Sequence, residues 1–143
     1  MKLKELIEKL DKSIKDINKI NTENLRVLFQ NVLKELKNHH KVEIYIGDFP
    51  TFIEPVHLEE NVRLGDDVLL GPNVYIGNNC ELGDFVELSN TIILDNVKLG
   101  NNFTLNNCII TKNSTFNFNN YNEKNCILTS MTDKKEDLKR VSF

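Results

Sequence analysis

An aliphatic residue stands before Gly71, Gly77 and Gly83 in the stretch LGPNVYIGNNCELGDFVEL, always six positions apart. A period of six fits neither an α-helix, which turns every ~3.6 residues, nor an ordinary strand, whose side chains alternate at every second position. Such a period is typical of internal structural repeats. The rhythm therefore predicts a chain that winds repeatedly around one axis, and it also predicts which side chains line the core.

Two columns of residues follow this period. The larger column steps by six residues, shortened twice to five, and contains Ile46, Phe52, Leu58, Leu64, Leu70, Ile76, Leu82, Leu88, Ile93, Leu99, Leu105, Ile110, Phe116, Asn122 and Leu128. A column of smaller residues, many of them Val or Cys, lies two positions earlier in each unit. Because residues i and i+2 of a strand share a face, both columns are predicted to point into the core.

The fourth residue of many units is Asn or Asp. These residues are Asn61, Asp67, Asn73, Asn79, Asn96, Asn102, Asn113, Asn119 and Asn125. Asn and Asp tolerate a positive φ angle better than most residues do. A repeated corner needs that conformation, so a tight corner is predicted between successive strands.

The two inward columns and the corner residues together resemble the hexapeptide-repeat family. That resemblance implies a mainly β fold, a left-handed parallel β-helix of triangular section with three units in each coil. Residues 42–130 would then form roughly five coils. The handedness is taken from the family, because ordinary crossovers are right-handed. A sandwich of short strands is the alternative, but sandwiches space their turns less regularly.

Residues 1–41 follow a helical period instead. A first apolar seam contains Leu3, Ile7, Leu10, Ile14 and Ile17. The segment NTEN interrupts it, and Asn21 or Thr22 is suited to cap a second helix, whose apolar stripe runs from Leu25 to Leu36. Isolated helices of this length are marginal, so we expect this α-helical hairpin to pack on the β-helix or on helices of neighbouring chains. Residues 131–143 are predicted to form a polar C-terminal tail.

Charge and hydropathy bear on location and on partners. Residues 1–41 carry ten Lys or Arg and six Asp or Glu, whereas the rest of the chain carries eight against fifteen. The basic residues alternate with acidic ones and lack interleaved aromatic residues, so a solvated helix face is favoured over nucleic-acid binding. No apolar run is long enough to cross a membrane, and the N-terminal segment is too charged for a signal peptide. A cytoplasmic protein is therefore expected.

Three cysteines, Cys80, Cys108 and Cys126, fall in the smaller inward column. Cys108 and Cys126 would be neighbours in adjacent coils, ~4.8 Å apart, which is near enough for a disulfide on distance alone. Buried thiols that act as small apolar residues in a reducing compartment are the favoured interpretation. No CxxC spacing exists, so no thiolate metal site is predicted.

Enzymes of the hexapeptide-repeat family include acyltransferases that use acetyl-coenzyme A and the γ-class carbonic anhydrases. The second resemblance implies a zinc ion held by three His, whereas the predicted β-helix contains only His57, so this activity and its metal are excluded. An acyltransferase needs a general base, usually His, and His57 is the one imidazole candidate for that catalytic role. Its place before Leu58 predicts an outward side chain. Acetyl-coenzyme A is the cofactor that this reading implies.

The stretch LGDFVELSNTIILDNVKLG, residues 82–100, is similar to part of the C-terminal β-helix of sugar-1-phosphate nucleotidylyltransferases, especially those that make uridine-diphospho-N-acetylglucosamine. In bifunctional members a His-Leu-x-Tyr acetyltransferase segment follows, but residues 97–100 read VKLG. The Gly-rich phosphate loop of the nucleotidyl-transfer half is also missing. The resemblance therefore implies the β-helix half of such a protein standing alone, with a sugar phosphate or a nucleotide as candidate ligand.

Two functions remain open on these grounds. The first is a small transferase-type enzyme of sugar-nucleotide metabolism whose site lies between subunits. The second is a catalytically silent module for assembly. The outward polar positions that would discriminate them are His57, Arg63, Tyr75 and Lys98. They form no recognisable catalytic constellation, so the sequence does not decide between the two.

One outward column is apolar over most of its length. It contains His57, Tyr75, Ile92, Ile109 and Ile127. A continuous apolar stripe on a protein surface usually marks a contact, and hexapeptide-repeat proteins commonly form trimers with parallel axes. The last four residues are therefore predicted to be the interface of a homotrimer. The alternative is that the chain's own amphipathic helices cover the stripe.

Overall fold

The computed structural model describes residues 2–143. Its helices are α1 (Lys2–Ser13) and α2 (Thr22–Glu35), with short 3-10 helices at Ile17–Lys19, Leu36–Asn38 and Lys135–Asp137. The strands are β1 (Thr51–Phe52), β2 (Val56–Leu58), β3 (Arg63–Leu64), β4 (Leu69–Leu70), β5 (Val74–Ile76), β6 (Glu81–Leu82), β7 (Glu87–Ser89), β8 (Thr91–Ile93), β9 (Lys98–Leu99), β10 (Phe103–Ile110), β11 (Thr115–Phe116), β12 (Tyr121–Thr129), β13 (Met131–Thr132) and β14 (Lys139–Ser142). Two helices thus precede the β structure, as predicted.

Strands β1 to β13 wind into a parallel β-helix of about five turns. Face I contains β1, β4, β7 and the first halves of β10 and β12, and face II contains β2, β5, β8 and their second halves. Face III contains β3, β6, β9, β11 and β13. Each strand pairs with its neighbour one coil later, as in the pairs His57–Tyr75 and Tyr75–Ile92. The predicted left-handed β-helix with its preceding helical pair is confirmed.

The molecule contains two apolar clusters rather than one. The first fills the prism and consists of the inward columns, among them Val56, Leu70 and Ile76, none of which is exposed. The second lies outside the prism, between the two helices and face II. The β-helix therefore has a core of its own, and the helices are held by a separate set of contacts.

Asn and Asp side chains shape the corners of the coil. Positive φ angles occur at eight of the nine predicted corner residues, and in the remaining case at Asn120 instead of Asn119. The side-chain amide of Asn61 donates to Asn79 of the next coil over 2.8 Å, and further Asn pairs repeat the contact. Gly77 is needed for close stacking, because a Cβ atom there would collide with Asp95 of the next coil.

The inward register differs from the prediction at both ends of the repeat. In the first coil Ile46 pairs with outward-facing Arg63 and is exposed, while Tyr45 packs against the prism core. In the last coil Glu123 pairs with Leu105, so Asn122 does not take the predicted inward position. The predicted period of six residues is therefore correct for the central coils and shifted by one residue at each end.

The C-terminal tail is ordered against the last coil. Strand β14 runs antiparallel to β12, and the ring of Phe143 lies 5.3 Å from that of Phe29 on α2. Arg140 Nε lies 2.9 Å from Glu123 Oε2. Burial opposes ionisation of Glu123, but its hydrogen bonds, the one from Arg140 first, lower the pKa of the carboxyl group. The tail thus covers the edge of face II in the last coil, and its Leu138 packs against the prism core.

Candidate functional site

The apolar stripe on face II lies beneath the chain's own helices. Ile92, Ile109 and Ile127 have no exposed surface, and Tyr75 is 4% exposed. They pack with the buried side of α1 and α2, which includes Leu10 and further apolar residues. These four residues therefore form an interface within the chain, which is the alternative that the sequence left open. The homotrimer stays a prediction, and it needs another contact surface.

His57 is buried under the end of the helical hairpin. It belongs to the outward column, but only 7% of it is exposed. Its Nδ1 atom lies 2.6 Å from the carbonyl oxygen of His39, which can only accept, so Nδ1 carries the hydrogen. Its Nε2 atom lies 2.8 Å from Glu59 Oε1. Both ring nitrogen atoms of His57 are thus engaged by groups of the chain itself.

Tyr75 completes this hydrogen-bonded chain. Its hydroxyl group donates to Glu59 Oε2 over 3.1 Å, and its ring stacks on that of His57 with centroids 5.5 Å apart. Burial, followed by the charge of Glu59, raises the pKa of Tyr75 well above its ordinary value, so the phenol remains a donor. The chain from His39 through His57 and Glu59 to Tyr75 ties the end of the hairpin to face II. This geometry gives the catalytic role predicted for His57 no support.

Replacement of His57 by Ala is expected to lower stability rather than activity. Glu59 and the His39 carbonyl lose a partner inside a buried contact, which costs about 1–3 kcal/mol. A positioned general base is worth ~10²–10⁴-fold in rate, so any release of coenzyme A from acetyl-coenzyme A should fall less than about a hundredfold. Thermal unfolding and a thiol-release assay measure the two effects. A stable variant that has lost all acyl transfer would contradict this assignment.

The three cysteines belong to the apolar core of the prism. All three are buried and free, and burial raises the pKa of Cys80 to about 12. The Sγ atoms of Cys108 and Cys126 lie 3.9 Å apart. The hydrogen bond between them raises the pKa of Cys126 and lowers that of Cys108. Among residues 2–143, no group of three or more His, Cys, Asp or Glu side chains is arranged to hold a metal ion.

A small cleft of about 210 Å³ lies between α1 and face II. Its charged lining comprises Lys4, Glu8, Asp11, Glu59, Asp95 and Lys112. The carboxylates outnumber the lysines, and the hydroxyl group of Tyr75 that reaches this cleft is already bonded to Glu59. Asp95 is also engaged, because it accepts a hydrogen bond from the backbone of Asn78. The bonds of Tyr75, Glu59 and Asp95 lie within the β-helix, so these groups of the cleft are already engaged by the prism itself.

Sequence reasoning missed an apolar surface around the first coil. The residues that we call the first-coil patch are exposed and are distributed around the coil rather than gathered on one face: Ile44, Ile46, Phe49 and Ile53 of the first coil, with Phe85 two coils after Phe49. Phe49 and Phe85 stand at the same corner two coils apart, each with a φ of 57°. The signal was present in the sequence, because Gly-Asp-Phe occurs at 47–49 and again at 83–85. In both places a bulky Phe occupies a corner that elsewhere holds Asn or Asp.

The first coil also leaves one end of the prism open. Its inward residues Val42, Tyr45 and Phe52 are only partly buried, although the matching residues of later coils are buried. Strand β1 pairs with β4 alone, so within the described residues its other edge has no partner strand. Among the described residues, the N-terminal end of the β-helix is therefore an apolar edge without a partner strand on β1.

Residues 52–139 match the family model described as the GMPPB C-terminal domain, a β-helix type of the sugar nucleotidyltransferases. The matched segment is more than half of the chain and includes most of the β-helix and the tail. It excludes both helices and most of the first coil. No curated protein and no solved structure matches the chain. Neither α1 nor α2 nor any shorter helix within residues 2–143 has the length and apolar character that spanning a bilayer requires.

Proposed function

This chain belongs to the GMPPB C-terminal domain family, and from that membership we propose that it is a non-catalytic β-helix module that binds a sugar-nucleotide nucleotidyltransferase. The family description names a C-terminal domain, which is one that follows other parts of a longer protein. The match begins at Phe52, so whatever precedes the domain in a family member meets the prism near its first coil. That is the end left open here.

The first-coil patch is the observation that carries the proposal. Phe49 is 83% exposed, and Ile44 and Ile46 are more than half exposed around the same open end. Repeat proteins need polar caps on their terminal units for solubility, and unpaired strand edges invite pairing with another chain. Helices α1 and α2, which precede this coil, pack on face II and leave the patch bare. An apolar end of this kind fits a protein partner better than it fits solvent.

Backbone geometry at the two phenylalanines supports the same proposal. A positive φ is unfavourable for a bulky residue, at a cost of roughly 1–2 kcal/mol, whereas Asn tolerates it. Asn102 and Asn120 hold the same corner in later coils with similar φ angles. Phe49 and Phe85 therefore make the isolated chain less stable than Asn would at the same two positions. Residues that cost stability in this way are typical of functional surfaces.

The double variant Phe49→Asn, Phe85→Asn is expected to be more stable than the parent protein and to bind its partner less tightly. Relief of two unfavourable φ angles should add about 1 kcal/mol or more to the free energy of unfolding. Loss of two exposed aromatic anchors should raise the Kd for a purified nucleotidyltransferase from the same organism at least ~10-fold. Urea denaturation and titration calorimetry measure the two effects. Val27→Asn replaces an exposed apolar residue on α2 and serves as the matched control.

Two results would count against this function. If the chain associates with itself and the double variant abolishes that association in sedimentation experiments, the first-coil patch binds a second copy instead. If the purified chain alone releases pyrophosphate from a nucleoside triphosphate and a sugar 1-phosphate, or coenzyme A from acetyl-coenzyme A, it is an enzyme.

We propose that the protein acts in the cytoplasm, because buried free thiols such as Cys108 and Cys126 suit a reducing compartment.

A further inference from the structure

Two of the three buried cysteines lie against each other in the last two coils. Cys108 and Cys126 are in-register partners on β10 and β12, and both belong to the core of the prism. Their Sγ atoms lie 3.9 Å apart. In-register residues of neighbouring strands have Cα atoms ~4.8 Å apart, which is a separation that a disulfide spans. To reach the ~2.05 Å of an S–S bond, each sulfur atom needs to move only about 1 Å.

Hydrogen bonds give the two thiols different roles. Among residues 2–143, Cys108 Sγ is the one acceptor within reach of the Cys126 thiol, whereas the Cys108 thiol has the carbonyl oxygen atoms of Asn106 at 3.4 Å and Glu123 at 3.7 Å. Cys126 therefore donates to Cys108. This bond lowers the pKa of Cys108, although burial opposes the effect. Because the thiolate is the nucleophilic form of cysteine, Cys108 is the sulfur atom that attacks.

Cys80 is a natural comparison, because it occupies the same inward column and is equally buried. Its thiol donates to the carbonyl oxygen of Leu94 over 3.1 Å instead of bonding a second sulfur atom. Burial raises the pKa of Cys80 to about 12. Its strand neighbour β6 pairs with β3 on one side and β9 on the other, so coils enclose it from both directions. Cys80 therefore has neither a thiolate nor a short path to solvent.

The paired cysteines lie nearer to an end of the prism. Cys126 is in the last coil, where Phe118, Tyr121 and Leu138 pack against the core but are only partly buried. Proteins open locally at the places where the fewest contacts hold the chain. A small reagent such as hydrogen peroxide therefore reaches Cys108 and Cys126 when the last coil opens, without unfolding of the central coils.

We propose that Cys108 and Cys126 are a site of reversible oxidative modification, at which hydrogen peroxide converts the two thiols into a disulfide between the last two coils. Cys108 Sγ attacks one oxygen atom of the peroxide, the O–O bond breaks, and the departing hydroxide takes up the thiol proton, which leaves a sulfenic acid and water. Cys126 Sγ then attacks the sulfenic sulfur, the S–O bond breaks, and the second hydroxide takes up the proton of Cys126. The two thiols lose two electrons to one peroxide, which becomes two molecules of water.

The disulfide fastens the end of the β-helix. Strand β12, which carries Cys126, pairs with β14 of the tail and places Ile127 in the cluster beneath the helices. A bond between residues 18 positions apart restricts the unfolded chain and joins the last coil to the one before it. Oxidation should therefore make opening of β12 and β14 rarer. This modification is separate from the partner binding proposed above and does not depend on it.

Treatment of the whole folded chain with hydrogen peroxide tests the proposal. Free thiols counted after denaturation should fall from three to one, and the mass should fall by two hydrogen atoms. Peptide mapping without reductant should show Cys108 joined to Cys126. Hydrogen exchange in β12 and β14 should slow and the Tm should rise by several degrees, because the crosslink restricts opening. Dithiothreitol should reverse all four changes.

Variants assign the reaction to the pair. Cys126→Ala should abolish the disulfide and the rise in Tm, and should leave Cys108 as a sulfenic acid that dimedone traps. Cys80→Ala is the matched control, since it removes an equally buried thiol from the same column and should leave the disulfide intact. In the parent, Cys108 should be oxidised at least ~10-fold faster than Cys80, because Cys108 has the greater thiolate character. Circular dichroism checks that each variant is folded.

Two results would overturn the proposal. One is that Cys108 and Cys126 react no faster than Cys80 and only at the rate of global unfolding, which would show that the last coil gives the peroxide no access. The other is a crosslink between two chains instead of within one, seen as a dimer in a denaturing gel without reductant. Since both readouts are taken on the isolated chain, they are unaffected by whether a nucleotidyltransferase binds it.

Discussion

Replacement of Leu70 by Asp is expected to unfold the β-helix, whereas the same replacement at Leu69 is expected to be tolerated. Leu70 has no exposed surface and sits in register between Phe52 and Leu88 inside the prism. A carboxylate there loses its water and finds no partner, and the contacts of the leucine are lost as well. The combined cost exceeds about 4 kcal/mol, a large part of the roughly 5–15 kcal/mol by which a domain is stable.

Leu69 is the matched control because it belongs to the same two-residue strand, β4, and points the other way. It is partly exposed on face I, in register between Thr51 and Glu87. An aspartate there stays hydrated and should cost about 1 kcal/mol or less, including mild repulsion from Glu87. Urea denaturation followed by far-ultraviolet circular dichroism measures both costs. Equal damage at the two positions would show that the inward and outward assignments are wrong.

The central coils were predictable because equivalent positions in each coil require the same burial and the same backbone conformation. From Val56 to Phe116 the inward columns coincide with buried positions, since one face of each strand must be apolar and a one-residue shift would expose it. The corners were predictable for a similar reason, because only a few residue types accept a positive φ. Each coil has the same packing requirement as the coil before it. The same residue pattern therefore recurs in every coil and can be recognised in the sequence.

The last coil was not predictable from the period of six residues, because several of its residues could occupy the corner. Asn117, Asn119, Asn120 and Asn122 are all able to adopt a positive φ, so composition does not choose among them. The choice is made by packing. The rings of Phe103, Phe118 and Tyr121 contact one another at 5.3–5.7 Å, and this contact places Asn120 at the corner and Glu123 opposite Leu105.

The surroundings of His57 could not be predicted for a different reason. Its outward direction follows from the alternation of strand β2, but its partners depend on where the hairpin ends. The carbonyl oxygen of His39 reaches Nδ1 only because the helices lie on face II, and the ring of His40 accepts the backbone hydrogen of Val56 for the same reason. Contacts between a helix end and a sheet face depend on tertiary packing, which leaves no periodic trace in the sequence.

Replacement of Ile109 by Lys is expected to release the two helices from a β-helix that stays folded. Ile109 lies in register between Ile92 and Ile127, fully buried, and belongs to the cluster under the helices rather than to the prism core. A buried ammonium group costs several kcal/mol unless it reaches water, and detachment of the hairpin lets it do so. Helices of 12 and 14 residues without a packing surface are marginal, so they should unfold once released.

Three measurements decide what the stripe on face II contacts. Circular dichroism should lose its helical component and keep its β component, limited proteolysis should cut first within residues 2–38, and sedimentation should show no change in the number of chains. Thr104→Lys lies on the exposed face of the same strand, β10, and should leave all three unchanged. A trimer that separates into monomers with its helices intact would instead show that the stripe joins neighbouring chains. Because the prism core does not include Ile109, a variant that loses the β component as well would contradict the division of the molecule into two apolar clusters.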